Sequence, residues 1–157
     1  MSTATLKHQS TTNGQTSKDE ADIRALIESV NKAHHNKDAA AMLAPYTHDA
    51  VIFDLAPPLS HRGMNLHEEQ AWLDTWEGPI HRESRDLSIT VSGGFAFCHG
   101  FYRLSGTPKS AGRPVSFWMR ATVCLLRDGG AWQIVHEHTS VPFYMDGSLR
   151  PAFDLKP

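Results

Sequence analysis

Asp54 is the first candidate for chemistry, because it lies in a short apolar run that predicts a β-strand. Residues 51–55 read Val-Ile-Phe-Asp-Leu, and Pro57-Pro58 stops the strand. A carboxylate in such surroundings is costly to bury unless it is paired or protonated. Facing a pocket, it could take or give a proton near neutral pH. The alternative is a strand-end residue that hydrogen-bonds the proline turn.

His136 and His138 form a second candidate, because alternation puts both on one face of the last predicted strand. The pair could bind zinc if His99 or Asp54 supplied a third ligand. Alternatively, His138 could act as a general acid or base, since imidazole titrates near neutral pH. The third interpretation is a structural pair that hydrogen-bonds the backbone and neighbouring hydroxyl groups.

Arg120 is the third candidate, because it lies in the otherwise apolar strand predicted over residues 115–127. An arginine that points inward from such a strand must be paired. Asp54, Glu137 or a carboxylate of a ligand could neutralise it. Arg120 is therefore interpreted either as a ligand-binding residue or as half of a structural ion pair.

The register of the last two strands decides whether these groups meet. Counting from the turn at residues 128–130 pairs Leu126 with Trp132 and places Arg120 opposite His138. A slip of one residue would exchange the two faces.

A pocket for a small apolar molecule also needs a lining, and aromatic residues are the usual source. The alternative is that they belong to an ordinary core. The candidates for substrate binding are Trp72, Trp76, His99, Tyr102, Trp118, Thr122 and His136.

Helices are predicted first along the chain. Ser17 and Glu20 match a capping box and start a helix that runs to about Asn36. His34 and His35 at its end are interpreted as surface residues near the negative end of the helix dipole. Asp38 is predicted to cap a second, short helix, and Asn65 to cap a third, which Gly78-Pro79 closes.

Strands predominate in the rest of the chain, and short turns pair them in antiparallel fashion. The predicted order is α-α-β-α-β-β-β-β, an α+β fold, with the last four strands over residues 87–91, 95–104, 115–127 and 132–141. The two longest strands have apolar residues on both faces. We therefore expect a homodimer through the outer face of the sheet; the alternative is that the C-terminal tail covers that face.

The composition fits one domain over residues 17–143, with a polar, disordered tail over 1–16 and an extension over 144–157 that lies over the surface. The net charge of −2 gives no basic footprint for nucleic acid or an anionic membrane. No apolar segment is long enough to span a membrane, so a cytoplasmic protein is expected. Cys98 and Cys124 lie in apolar runs and are predicted to be buried thiols.

The strand from Ala50 to Asp54, the following Gly63 and the ending Trp132–Ser140 resemble the nuclear transport factor 2-like superfamily. Within it the chain is similar to SnoaL-like and ketosteroid-isomerase-like proteins. The ending is also similar to the association domain of calcium/calmodulin-dependent protein kinase. The resemblance covers roughly residues 18–143 and implies a cone-shaped curved sheet wrapped around three helices, a pocket between them, and a dimer.

The resemblance also implies a role for Asp54, because an Asp occupies the matching place in ketosteroid isomerase and shuttles a proton beside a carbonyl. Two other parts of that pattern are missing. Val30 stands near the place of its tyrosine, and Thr122 and Val123 near that of its second Asp. Steroid isomerisation is therefore not expected.

These observations predict an isomerase, dehydratase or cyclase that needs no cofactor or metal and acts on a small hydrophobic or carbonyl-bearing molecule. Asp54 would move the proton, while His138 and Arg120 would orient the substrate or stabilise negative charge. The alternative is a non-catalytic ligand-binding or oligomerisation domain. The fold supports both, so the distinction depends on the site.

Overall fold

The computed structural model describes residues 4–157 and has three helices before most of the sheet. Asp38 caps the second helix by accepting from the amide of Ala41, and Asn65 caps the third by accepting from the amides of two residues in its first turn. The helices are α1 (Ala4–Asn36), α2 (Ala39–Leu43) and α3 (Leu66–Asp74).

Helix α1 begins earlier than the capping box predicts. Residues 4–16, which were expected in a disordered tail, are helical here, so Ser17 lies inside α1 rather than at its start. Adding a residue to an existing helix costs far less than nucleating one, so a packed segment can extend through residues of low helix propensity. Residues 1–3 lie outside the described residues, and the tail remains a prediction there.

The six strands form one curved, unclosed sheet in the order β2-β1-β6-β5-β4-β3. Strands β1 and β6 are parallel, and the other neighbours are antiparallel. The predicted α+β class is confirmed, with the short strand β2 as an addition. The strands are β1 (Tyr46–Phe53), β2 (His61–Arg62), β3 (Trp76–Ser92), β4 (Phe95–Pro108), β5 (Val115–Asp128) and β6 (Ala131–Ser140).

Strand β3 is far longer than the prediction over residues 87–91. Gly78 and Pro79 do not separate a helix from a loop; they lie inside the strand, where the register shifts between Glu77 and His81. Gly78 has a φ of +67°, which suits a local irregularity of this kind. Trp76 is consequently the first residue of β3 and not part of α3.

A β-bulge in β6 decides which side chains face inward. Leu125 pairs with Ile134, but Cys124 pairs with His136, which leaves Val135 as the extra residue. The alternation of inward-facing and outward-facing side chains is therefore interrupted halfway along β6. Its buried residues are Trp132 and Ile134 before the bulge and Glu137 and Thr139 after it.

The core lies between α1 and the inner face of the sheet. The odd-numbered residues of β5 from Met119 to Leu125 are buried there against apolar residues of α1, including Ile23 and Ile27. Asp19 of α1 is also buried and pairs with Arg127 at the end of β5. This ion pair connects the helix to the β5–β6 hairpin.

The C-terminal segment folds back on itself and returns to the sheet. Phe143 bridges to Pro151, and the hydroxyl of Tyr144 donates to Asp154 over 2.6 Å. Phe153 then packs on Phe117, with ring centroids 4.7 Å apart. Phe117 belongs to the inner-facing set of β5, so Phe153 covers this side of the sheet rather than the outer face.

Both cysteines are free thiols, as predicted; Cys98 is buried and Cys124 is half-buried. Burial raises the pKa of the Cys98 thiol to about 12, which makes it unreactive at neutral pH. Within residues 4–157, none of the helices combines the length and apolar character that crossing a membrane requires.

Candidate functional site

A cavity of about 930 Å³ lies between the inner face of the sheet and the helices. Residues from α1, α2, α3, all six strands and the C-terminal segment contribute to its wall. The lining is mostly apolar and includes Met42, Leu104 and Met119, which are all buried. The exposed lining residues include Asp54 with the following loop, and also Arg113, Pro114 and Phe153, so the cavity opens to solvent on these sides.

The most buried polar group in the cavity wall is an ion pair between Arg82 of β3 and Glu137 of β6. The two side chains are only 7% and 9% exposed, and Arg82 Nη2 lies 2.5 Å from Glu137 Oε1. The hydroxyl of Tyr46 donates to the other carboxylate oxygen through a very short hydrogen bond. Both oxygens of Glu137 are thus engaged, as a buried carboxylate requires.

Tyr46 stays a neutral phenol in this arrangement. Burial, followed by the negative charge of Glu137, raises its pKa well above the usual value of 10. Burial acts to lower the pKa of Arg82, but the surrounding Glu137, Tyr102 and Tyr46 more than offset it, so the pKa is raised and the guanidinium stays charged. The cluster therefore contains one full cation and one full anion.

Tyr102 packs against Arg82 of this cluster and does not line the cavity. The guanidinium of Arg82 lies 3.9 Å from the centroid of its ring, which is a close cation–π contact. Tyr102 is 1% exposed, and burial is the main reason that its pKa is raised. The prediction that it contacts the substrate is therefore wrong.

His34 lines the cavity from the last turn of α1, against the prediction that it is a surface residue. It is buried, and its Nδ1 lies 2.8 Å from the carbonyl oxygen of Val30. Burial, followed by the positive charge of Arg82, lowers its pKa to about 3. Its ring meets that of Trp72 edge to face at 6.1 Å.

Asp54 lies at the open edge of the cavity, beside two other ionisable residues. It is exposed, so the burial expected for it is absent; its carboxylate accepts from the amide of Leu55 over 2.7 Å and from the hydroxyl of Thr139 over 3.4 Å. Glu69 also lines this edge, and burial followed by the charge of Asp54 raises its pKa, while His61 opposes the shift. Asp54, His61 and Glu69 thus form a group in which the carboxyl of Asp54 is exposed and that of Glu69 is half-buried.

A close backbone approach holds the loop that follows Asp54. The amide of Gly63 donates to the carbonyl of Ala50 over 2.8 Å. Gly63 has a φ of +71°, and a Cβ there would lie 2.4 Å from the carbonyl oxygen of His48. Only glycine fits this position, which brings the loop back against β1.

The structure brings only some of the predicted site residues together. Asp54, Trp72 and Trp76 line the cavity. Six others belong to the opposite, outer face of the sheet, so the predicted convergence of Asp54 with His138 and Arg120 on one pocket is wrong. The residues on the outer face are His99, Trp118, Arg120, Thr122, His136 and His138.

Two features explain this error. The bulge at Val135 turns His136 and His138 outward, although Trp132 and Ile134 face inward. The same bulge, together with a turn one residue tighter than assumed, pairs His138 with Thr122 instead of Arg120. On the outer face both histidine rings contact Phe53, and His136 Nδ1 lies 2.7 Å from the carbonyl oxygen of Val51.

Several residues of the site carried a weak signal or none in the sequence. Arg82 and Glu137 are 55 positions apart, and Arg82 falls in a segment that was not predicted to be a strand. Tyr46 follows a proline and was not assigned to an element. The histidine pair at 34–35 carried a usable signal, because His34 continues the buried face of α1 through Ile27 and Val30.

Within the part of the chain described, no group of three or more His, Cys, Asp or Glu side chains is placed so that it could hold a metal ion. A molecule in the cavity would meet four parts of its wall. These are an apolar surface, the buried cluster around Glu137, the ring of His34, and the carboxyl pair at the edge.

The three N-terminal helices, the curved six-stranded sheet and the cavity between them define the nuclear transport factor 2-like fold. Residues 23–144 match the SnoaL-like domain family. The chain belongs to this family.

Solved structures agree with this assignment. An NTF2-like protein of unknown function from Pseudomonas putida KT2440 is 33% identical, covers 90% of this chain and 99% of its own, and superposes with a TM-score of 0.79. No curated protein matches the chain.

More distant structures share the fold alone. A protein proposed to be a scytalone dehydratase from Novosphingobium aromaticivorans is 11% identical, covers 85% of this chain and 91% of its own, and has a TM-score of 0.68. A protein proposed to be a calcium/calmodulin-dependent protein kinase II association domain from Xanthomonas campestris is 17% identical, covers 75% of this chain and 84% of its own, and has a TM-score of 0.63. The fold therefore occurs with both an enzymatic and an assembly assignment.

Proposed function

We propose that the protein binds a small, largely apolar molecule in the cavity and transforms it by proton transfer without a cofactor. The observation that carries this proposal is the combination of a large apolar cavity with a few buried polar groups in its wall. Sites for small molecules usually have this composition, in which apolar surface supplies affinity and a few polar groups set orientation. The volume suits a molecule of one to three fused rings.

Asp54 and Glu69 are the pair proposed to move protons. Glu69, whose pKa is raised, serves as the acid, and Asp54 serves as the base. In a dehydration, Asp54 would take a proton from carbon while Glu69 protonates a hydroxyl group on the neighbouring carbon, and that group leaves as water. In an isomerisation, Asp54 would remove a proton and return it to another carbon. A dehydratase assignment of one distant relative is compatible with the first course.

Binding is tested by a thermal-shift screen of bicyclic and tricyclic compounds on two matched variants. Leu43→Trp places a larger side chain into the cavity wall, whereas Leu59→Trp makes the same change at a residue that is 97% exposed and outside the lining. We expect Leu43→Trp to abolish the shifts produced by the hits and Leu59→Trp to retain them. Equal shifts in both variants would contradict binding in the cavity.

Catalysis is tested on the compounds that bind, by following product formation with mass spectrometry. Asp54→Asn and Glu69→Gln should each lower kcat at least about 100-fold, as expected for loss of a general acid or base. Asp49→Asn, a change at an exposed residue of β1 that lies outside the cavity lining, is the control. Unchanged turnover in Asp54→Asn and Glu69→Gln would remove the pair from the mechanism, while binding would be unaffected by that result.

Self-association is the second proposed function, and the outer face of the sheet supports it. Phe53, Phe95, Phe97 and Leu126 are 38–46% exposed on this face. The proposed occupant is a second copy of the chain, because Phe95, Phe97 and Leu126 form an exposed apolar patch where β4 pairs with β5, and Phe53 adds a further exposed ring on β1. An association domain among the distant structures is compatible with this proposal.

Sedimentation equilibrium tests the dimer. We expect a dimer for the wild type, a monomer for Phe97→Arg at the centre of the face, and a dimer for Phe143→Arg, which alters an exposed phenylalanine outside the sheet. A monomeric wild type at micromolar concentration would contradict the proposal.

A further inference from the structure

The hydrogen-bonding role of His34 in the cavity wall can be read from the geometry. Its Nδ1 lies 2.8 Å from the carbonyl oxygen of Val30, one turn earlier in α1. A carbonyl oxygen can only accept a hydrogen bond, so Nδ1 must carry the hydrogen. The tautomer of the ring is thereby fixed.

The second ring nitrogen, Nε2, is then an acceptor. Burial and the nearby charge of Arg82 keep the imidazole neutral, since its pKa is lowered to about 3. In a neutral imidazole that is protonated on Nδ1, Nε2 has a lone pair and no hydrogen. Because Nδ1 is turned to the backbone of α1, Nε2 lies on the part of the ring that is directed away from it, and the ring lines the cavity.

Nε2 makes no hydrogen bond within residues 14–157, and the atom is accessible from the cavity rather than sealed in the core. A molecule that fills the cavity without placing a donor against Nε2 would bury this acceptor unpaired, which is unfavourable. The edge of the Trp72 ring holds the imidazole from one side at 6.1 Å between centroids. The unpaired acceptor is therefore fixed in direction rather than free to turn towards solvent.

Three donor groups elsewhere in the wall are used within the protein. The hydroxyl of Tyr46 and the guanidinium of Arg82 donate to Glu137, and the hydroxyl of Thr139 donates to Asp54. The hydroxyl oxygens of Tyr46 and Thr139 keep lone pairs that can accept. Nε2 of His34 is thus one acceptor that the wall offers to a bound molecule, while the N–H groups of Trp72, Trp76 and Arg113 are donors in other parts of the wall.

We propose that the cavity selects molecules that carry a hydroxyl or N–H group and receives this group on Nε2 of His34. A carbonyl oxygen at the same place would face the lone pair and leave both groups unsatisfied. This inference rests on the proposed binding of an apolar molecule in the cavity. His34 acts here as a specificity-determining residue and moves no proton.

Three naphthalenes of similar size provide the test. Naphthalen-2-ol can donate, whereas 2-methoxynaphthalene and naphthalene-2-carbaldehyde can only accept. We expect naphthalen-2-ol to bind wild-type protein at least about ten-fold more tightly than the other two by isothermal titration calorimetry, which corresponds to about 1.4 kcal/mol. His34→Phe should remove this preference, so that the three compounds bind within about two-fold of one another.

His35→Phe is the matched control, because His35 is the next residue of α1 but is exposed and outside the cavity lining. It should keep the ten-fold preference. Should His34→Phe fail to fold, the ¹⁵N resonance of Nε2 in the wild type gives an independent reading. Naphthalen-2-ol should shift it upfield as the lone pair accepts a hydrogen bond, and 2-methoxynaphthalene should not.

The outcomes separate this inference from the proposed function. Equal binding of all three naphthalenes to the wild type would overturn the role of His34 and leave binding in the cavity intact. A preference for naphthalen-2-ol that persists in His34→Phe would also overturn it. Binding of none of the three would count against the cavity as a site for bicyclic molecules and would overturn both proposals together.

Discussion

Arg82 and Glu137 form a buried ion pair although their strands are not neighbours in the sheet. Strands β5 and β4 lie between β6, which carries Glu137, and β3, which carries Arg82. In a flat sheet, strands three spacings apart would be roughly 14 Å from one another. The separation of 2.5 Å between the charged atoms is reached because the sheet is strongly curved and both long side chains lie on its concave inner face. This pair both marks the curvature and supplies the charged part of the cavity wall.

Removing one partner of this pair should destabilise the protein strongly. Arg82→Met or Glu137→Met alone leaves an unpaired buried charge, and each should lower the free energy of unfolding by about 3–5 kcal/mol. The double variant should lose much less than the sum, since neither charge is then left alone. Urea denaturation of the four proteins measures this coupling.

The exposed pair Arg103 and Glu83 is a matched control, because it joins the same residue types over 3.2 Å at the surface. Methionine substitutions there should give a coupling of at most about 1 kcal/mol. Equal coupling energies for the buried and the exposed pair would show that burial adds nothing to the pair in the cavity wall.

His34 should make the stability depend on pH. In the folded protein the pKa of His34 is about 3, and in the unfolded chain it takes the usual value of 6.5. The unfolded state therefore binds a proton first as the pH falls, so the folded state loses stability below about pH 6.5, whereas the contribution of His34 is constant above it. Between about pH 7 and pH 5 the loss due to His34 should be about 2 kcal/mol.

Urea denaturation at both pH values on three proteins isolates this contribution. His34→Phe should lose about 2 kcal/mol less than the wild type over the interval, and the exposed control His35→Phe should lose as much as the wild type. An identical pH dependence for His34→Phe and the wild type would mean that His34 is not held neutral.

Phe153 should matter for binding more than for folding. It comes from the C-terminal segment, packs on Phe117 and lines the cavity, but is 48% exposed. Phe153→Ala removes part of the apolar wall and should weaken binding of an apolar compound about ten-fold, while the free energy of unfolding falls by no more than about 1.5 kcal/mol. Calorimetry and urea denaturation measure the two effects.

Phe143→Ala is the control for this change, because Phe143 lies in the same segment, is exposed and does not line the cavity. It should leave the dissociation constant within about two-fold of the wild-type value. A loss of affinity shared equally by the two variants would indicate that the whole segment, rather than the Phe153 ring, supports the wall.

The sequence predicts the fold better than the site. Helical spacing in α1, the caps at Asp38 and Asn65, and the turns between the last four strands are local signals, and the structure contains all of them. Strand β3 was missed in its first half because Gly78-Pro79 resembles a helix stop. That strand pairs with β4 across an irregularity, which local patterns do not show.

The arrangement of the site depends on strand register and on contacts between residues that are far apart in the sequence. One extra residue, Val135, exchanges the faces of β6, so that Glu137 and Thr139 point inward where His136 and His138 were expected. The partner of Glu137 is 55 residues away and becomes a neighbour only through the curvature of the sheet. Asp54 was singled out because its contrast with apolar neighbours is visible in the sequence. Its exposure at the edge of the cavity is not visible there.

Methionine methyl groups allow the most direct test of binding in the cavity. Met42, Met64 and Met119 line it, whereas Met145 is 86% exposed on the C-terminal segment. In a protein labelled with ¹³C at the methionine methyls, an apolar ligand found by the thermal-shift screen should shift the resonances of the three lining residues and leave that of Met145 unchanged. Saturable binding that leaves all three lining resonances in place would contradict the account.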